Sequence, residues 1–600
     1  MQLPETRAVK WDVTWHDRDR VSPGYWFVAP IADGEPESSG TRRFHQYQVG
    51  PYIYDENGIL IWAGSYLFEN RNVFDFKPLH NIGEDPRLSF IEQRDASGRT
   101  RGQGIILSQN YTIEKAVGAL QDIKEFNVRE FNVLPGGQFA LACVDKEEKI
   151  PLHELGRPGE DSYLITGGFY EVDTETGQIA FKWRSDGPEN VNLLESIKLD
   201  GDSPAADKPG YDYVHINSVD KNEDGDYLIS LRYTNTIYLI SGEDGSIIWR
   251  FGGSESDFLV DFKFSKQHDA RFVKSNGTHH TITLFNNAAD ENEREERVSA
   301  ALLVELDTTV SPMKATLLRR LQRPDGGLSR FRGNAQYLNN DNIFVGWGDA
   351  GYLTEFAPNG DKLVEARFVS SRFSTYRAYK SAFVGRPIEP PDVVATVVGT
   401  DSDSLITTIY VSWNGATEVD SWNFYAQGWK KQYPILIGNV KKVDFETLYV
   451  AAGFMDWISA EALDREGNVL GTSEVQRTET PPQWGTAGFR ESSEPTAEDP
   501  ALRYSEDGTW REHHDRPETA RDMLRILANI KAIGTFFIFV LAAGVVGASS
   551  VGIYWAVKRR RERESYKHVP ADNEDREEMF EAPEIEPSNS EKYQSRDSRE

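Results

Sequence analysis

The sequence predicts an all-β protein: a six-bladed β-propeller followed by a small β-sandwich, with one C-terminal transmembrane helix. Three observations predict it. A hairpin form recurs along the first two thirds of the chain, a tract of short alternating strands follows it, and one long uncharged apolar run stands near the C-terminus. At 600 residues the chain is too long for one core, and its 31 Phe, 25 Tyr and 14 Trp supply bulky groups for more than one.

The hairpins come in two forms. In "GPYIYDENGILIWAG", "GGFYEVDTETGQIAFKWR", "NTIYLISGEDGSIIWRFGG" and "YLTEFAPNGDKLVEARF" a strand enters a Gly or Asn-Gly turn and leaves as a strand that often ends in Trp. In "FNVLPGGQFALACV", "HINSVDKNEDGDYLISLR" and "GNAQYLNNDNIFVGWG" a strand crosses a tight turn into an apolar strand. Placing the second form before the first gives a four-stranded sheet per unit. Units fall near residues 24–66, 73–119, 126–186, 211–253, 266–321 and 330–374, within a propeller spanning 20–385.

From "PPDV" at Pro390 onward the texture changes to short alternating strands, read as a β-sandwich over 386–475. Residues 476–531 are rich in Pro, Glu, Ser and Thr and read as a flexible stalk and juxtamembrane segment. Residues 532–557 are 26 in a row without a charge, enough to span a bilayer as a helix. The basic flank "KRRRER", Lys558–Arg563, puts the 558–600 tail, read as disordered, in the cytosol. The N-terminal part is then lumenal or extracellular. The start "MQLPETRAVKWDV" has no apolar h-region, which leaves a truncated start or a reversed topology as alternatives. Sequons at Asn110 and Asn276 are glycosylation candidates for a lumenal domain. Gly544, Ala548 and Gly552 make one helix face smooth, a surface for a homodimer.

A net charge of −29 argues against a nucleic-acid partner. The single cysteine, Cys143, lies in an apolar strand pattern, so neither an intrachain disulfide nor a cysteine metal cluster can form, and it reads as a small buried hydrophobe. The turn "DKNEDGD", Asp220–Asp226, spells the start of a calcium loop, but Leu231 stands where the bidentate Glu belongs. It reads as an acidic hairpin turn, and no metal or cofactor is expected.

In a propeller the starts of the inner strands converge on the axis, the default ligand site. His215 holds such a start in one unit and "QHDARF" puts His268 at the matching point of the next, with Asn217 and Asn287 as nearby polar candidates. At "DYVHINSVDKNEDGDYLISLR", "IIWRFGG", "QHDARF", "GNAQYLNNDNIFVGWG" and "YVSWNGATEV" the chain resembles the arylsulfotransferase family, in its fungal membrane-associated branch. The resemblance implies transfer of a sulfuryl group from a phenolic sulfate ester to another phenol without a nucleotide donor. It also implies that His215 and His268 contact that group, and it makes a phenolic ligand or sulfate ester the expected partner.

The chain departs from that family twice. No histidine occurs between His280 and His513, where active relatives carry the histidine that is transiently sulfurylated. Ala300 stands where they carry an arginine, with Arg297 nearby in sequence. Two readings follow: an enzyme with His215 or His268 as nucleophile, or a propeller that binds its ligand without turnover. The Trp-ending repeats are also similar to those of quinoprotein dehydrogenases, a third reading.

Overall fold

The computed structural model describes residues 3–484 apart from 33–46, 95–100, 119–125, 151–161, 188–190, 198–210, 401–403 and 482. The expected span 532–557, the tail 558–600 and the stalk beyond residue 484 lie outside the described residues. Among those described, no helix is long and apolar enough to cross a membrane.

The described chain is strands joined by turns and short 3-10 segments. Six sheets, each built on at least four antiparallel strands and two of them carrying an added short parallel strand, follow one another as the blades of a propeller-like ring. Their innermost strands are Phe373–Ser381 in blade 1, Val73–Leu79 in blade 2, Phe131–Val133 in blade 3, Ile216–Lys221 in blade 4, His268–Ser275 in blade 5 and Asn334–Tyr337 in blade 6.

Two strands close the ring, and neither was apparent from the hairpin pattern. Phe373–Ser381, late in the chain, pairs with Tyr25–Ala32 and becomes the inner strand of blade 1. Trp11–Trp15, early in the chain, pairs with Lys362–Phe368 as a fifth, outer strand of blade 6. The ring therefore begins before residue 20, the boundary read from sequence. A strand this far from its partner carries no turn signal between them; only the backbone pairing locates it. Buried Lys380 meets buried Glu355 at 2.7 Å across the blade 6 to blade 1 joint. Asn334 exchanges two side-chain hydrogen bonds with the backbone of Ala378 at the same joint.

The cores lie between blades. Phe169 and Trp183 of blade 3 pack with Ile216, Tyr227 and Tyr238 of blade 4. Trp249 of blade 4 packs with Ile282 and Leu302 of blade 5. The Trp residues that end the repeats, Trp62, Trp183 and Trp249, are 1–3% exposed and fill these spaces. Burying a large apolar side chain stabilises by roughly 1.5–3 kcal/mol, so each repeat ending in Trp also fastens two blades. Cys143 is fully buried among apolar neighbours, where burial pushes its thiol pKa up.

The sandwich packs a sheet of Asp392–Val398, Ile406–Ser412 and Glu446–Ala452 against one built on Ser421–Gln427 and Trp457–Leu463. It does not stop at residue 475: Gln476–Arg477 pairs with Trp457 and Ile458, and Glu479 N–H donates to Ala395. The Pro- and Glu-rich composition put the boundary too early because strand pairing uses backbone groups, which composition does not report. The sandwich sits on blades 1 and 2, where Gly415 N–H donates to Ile61 and the Tyr111 hydroxyl donates to the Gly415 carbonyl at 2.7 Å.

Candidate functional site at the mouth of the ring

His215 directly precedes the inner strand of blade 4, and its φ of 51° turns the chain into that strand. For a non-glycine residue this left-handed conformation is costly and persists only where neighbours enforce it. Asp212 does so: its carboxylate accepts the His215 backbone N–H at 2.8 Å and the ring Nδ1–H at 2.6 Å. Arg129, just before the inner strand of blade 3, sits between Asp145 at 3.1 Å and Asp212 at 3.5 Å and holds that carboxylate in turn. Burial, reinforced by the Arg129 charge and opposed by Asp212, pushes the His215 pKa down to about 4. The imidazole is neutral near pH 7, its proton is on Nδ1, and its lone pair is on Nε2.

His268 opens the inner strand of blade 5 and is 4% exposed. Its Nδ1 lies 2.8 Å from Asn287 Oδ1. The Asn287 amide nitrogen already donates to the carbonyls of Ser329 and Arg332, so the oxygen must face the ring and accept from Nδ1–H. Burial and the Arg232 charge hold the His268 pKa well below the usual histidine range. Two adjacent blades thus present two neutral imidazoles, each with Nδ1 tied down.

Arg232 follows the second strand of the blade 4 hairpin, and its backbone N–H donates to the His215 carbonyl. Sequence reasoning missed it. The signal was present: "HINSVDKNEDGDYLISLR" begins with His215 and ends with Arg232, and the hairpin pairs Ile216 with Leu231. The guanidinium is 3% exposed, lies 5.2 Å from the Phe331 ring and donates through Nη2 to the Arg330 carbonyl. Its Nε–H has no hydrogen-bond partner, and Arg232 makes no ion pair among the described residues.

Further along the same inner strands the ring is filled by a charged hub. Arg377 meets Asp75, Glu130 and Asp269 at 2.7–3.3 Å, Arg271 meets Glu130 and Asp269, and Lys77 meets Asp75. Arg377 also donates to the Asn217 carbonyl and Arg271 to that of Val219, two and four residues beyond His215. Three cations facing three carboxylates leave no net charge in the hub.

The other sequence candidates divide. Asn217 is fully buried; its amide donates to the Gln267 carbonyl and accepts from Asp269 N–H, so it braces blades 4 and 5. Asn287 has both amide hydrogens and its oxygen engaged and acts on the site through His268. Ala300 is buried in its strand, and Arg297 is exposed on a loop. Asp220 accepts from Asn132 and from Phe272 N–H, leaving an acidic hairpin turn between blades. Asn110 and Asn276 lie outside this site: Asn276 is exposed at a hairpin tip, and the Asn110 oxygen accepts from Thr112.

Residues 128–369 match the model of the arylsulfotransferase (ASST) family, a stretch that contains His215, Arg232, His268 and Asn287. No curated protein matches the chain. Among solved structures, a protein of unknown function from Bacteroides caccae is similar at 12% identity and TM-score 0.34, over 60% of this chain and 99% of its own. The Dos1 propeller is similar at 10% identity and TM-score 0.27, over 78% of this chain and 97% of its own. Apo AztD from Citrobacter koseri is similar at 11% identity and TM-score 0.23, over 60% of this chain and 100% of its own.

Proposed function

We propose that the arylsulfotransferase-like ring transfers a sulfuryl group from a phenolic sulfate ester to a phenol, using His215 and His268 at its mouth. The observation that carries this reading is the pair of neutral imidazoles, each oriented by a partner on Nδ1 so that Nε2 holds a lone pair.

The two partners differ, and the difference assigns roles. His215 is backed by a carboxylate, which stabilises positive charge on the ring as its Nε2 attacks sulfur. The sulfur–oxygen bond to the donor breaks, a phenolate leaves, and His215 carries the sulfuryl group with Nδ1–H still bonded to Asp212. The acceptor phenol then gives its proton to His268 Nε2 as its oxygen attacks sulfur and the nitrogen–sulfur bond breaks. That proton passes to the departed phenolate, so one ester and one phenol become another ester and another phenol.

The test is turnover of a chromogenic aryl sulfate with a phenol acceptor, followed by an alkaline quench and mapping of any sulfurylated peptide. Adduct on His215 in the wild type, accumulating in His268→Ala and lost in His215→Ala, is the expected result. Full turnover in the His215→Ala, His268→Ala double variant would sink the mechanism. The lack of histidine between His280 and His513 favours a second reading, capture of the same ligand without chemistry. Tight binding of aryl sulfates with no turnover across a broad donor panel would establish it.

The apolar run 532–557 and its basic flank support a single-pass membrane protein of the fungal membrane-associated branch, its ring lumenal or extracellular and its tail cytosolic. A glycan on Asn276 in cells with a secretory pathway is the expected sign of that orientation. Its absence from membrane-inserted full-length protein would reverse the topology.

A further inference from the structure

Charge at the mouth of the ring is unevenly matched. Arg129 faces two carboxylates, Asp145 and Asp212. The hub below is neutral. Lys266, fully buried, is held by Asp290, Glu293 and Glu295, while Arg332 is partly exposed, so that water screens its charge, and donates to Ser374. Arg232 differs: it is buried, lacks an ion pair among the described residues, and keeps an Nε–H with no acceptor. Asp290 and Glu291 act on it only from a distance, and burial pulls its pKa down. A buried charge that lacks a counter-ion is strongly disfavoured, so a guanidinium in this position implies an anion that completes it.

We propose that Arg232 grips the oxyanion at this site and that its single unpaired charge makes the site select singly charged sulfuryl or sulfonyl groups over doubly charged phosphoryl groups. The inference builds on the sulfuryl-transfer reading but concerns binding alone. Both imidazoles are neutral and offer lone pairs rather than donors, so they add no positive charge to hold a second negative one. Asp212 lies behind His215, and together with Asp145 it outweighs Arg129 by one negative charge. A dianion would therefore meet one buried cation, Arg232, and a net negative wall; a monoanion matches that one buried charge. Planar guanidinium donors suit two oxygens of a tetrahedral anion, and the rings of Phe331 and Tyr233, 5.2 and 5.8 Å from the Arg232 carbon, form an aromatic surface beside it.

The experiment is calorimetric binding to the full chain of phenylmethanesulfonate, which cannot transfer a sulfuryl group, and of phenyl phosphate. The wild type binds the sulfonate with an affinity independent of pH between about 8 and 5. Phosphate binding strengthens over the same range, as its second ionisation near pH 6 is reversed. Arg232→Gln weakens sulfonate binding about tenfold or more, as expected for a lost charged hydrogen bond. Arg232→Lys restores part of it, and Arg297→Gln, on the exposed loop, leaves it unchanged.

Unaltered sulfonate binding in a folded Arg232→Gln protein overturns the inference, as does wild-type binding of the phosphate dianion as tight as that of the sulfonate. Sulfonate binding lost in Arg232→Gln without any aryl sulfate turnover in the wild type supports the inference and sinks the transfer reading. Turnover with Arg232-independent binding does the reverse. Failure of the wild type to bind either anion or to turn over sinks both.

Discussion

Arg377 Nη1 lies 2.7 Å from Asp75 Oδ1, joining the strand that closes the ring to the inner strand of blade 2, and both side chains are at most 1% exposed. The pair anchors the hub on which Glu130, Asp269, Arg271 and Lys77 converge. Removing one partner of a buried pair leaves the other charge without compensation, at a cost of about 3–5 kcal/mol. Arg377→Leu is therefore expected to lower unfolding stability by about that amount, read from the denaturant midpoint. A loss below about 1 kcal/mol would show that the hub does not hold the ring closed.

The two histidines, His268 buried and His215 half-buried, give stability a pH dependence of known sign. The His215 pKa is about 4 in the folded protein against 6.5 for an unperturbed ring, so between these values the unfolded chain binds a proton that the folded chain refuses. Stability contributed by His215 is present above about pH 6.5 and is lost as pH falls toward 4, up to about 3 kcal/mol. His268, also shifted down, acts in the same direction. In His215→Gln the slope of stability against pH over that window should shrink. Because burial first, and then Arg129, lower the His215 pKa to about 4 against the opposing pull of Asp212, the acid limb of kcat/KM should fall near pH 4. A limb at 6.5 would contradict the neutral state described for His215.

Asp212→Asn removes the carboxylate charge and one of its two acceptors, since an amide nitrogen cannot accept and the side chain no longer takes both the His215 N–H and Nδ1–H bonds. Its oxygen can still accept Nδ1–H, but it cannot balance positive charge on a sulfurylated ring. The expected result is a fall in kcat of about a hundredfold with KM changed little, since donor binding does not use Asp212. A rise in KM at constant kcat would make Asp212 a binding group instead.

Gly415 marks the joint between ring and sandwich. Its φ of 95° is unfavourable for any side chain, and an added Cβ would run into the rings of Tyr111 and Trp62, which stack 4.6 Å apart. Gly415→Ala is expected to cost about 1–3 kcal/mol and to split thermal unfolding into separate ring and sandwich transitions. One unchanged transition in calorimetry would show that the joint yields without loss.

Legibility of the site in the sequence varied with how local each contact is. The places of His215 and His268 at the starts of inner strands were legible because the hairpin that follows each histidine defines them. The bracing role of Asn217 was not legible because its partners, Gln267 and Asp269, belong to the next blade. Arg232 was within reach, opposite His215 across one hairpin, yet nothing in the sequence shows that its charge would be buried without a counter-ion.

The sequence by itself determined the all-β character, the recurring hairpins and the two histidines, because strand alternation and turn chemistry act over a few residues. Only the tertiary structure decided which strands close the ring, where the sandwich ends, which asparagines are consumed in bracing, and which arginine stands beside the histidines. Phe373 pairs with Ala32, Arg377 with Asp75, and Arg129 with Asp212, across sequence separations that no local propensity spans. Contacts between blades depend on backbone pairing and charge burial around the whole ring, and those forces have no signature in a short stretch of chain.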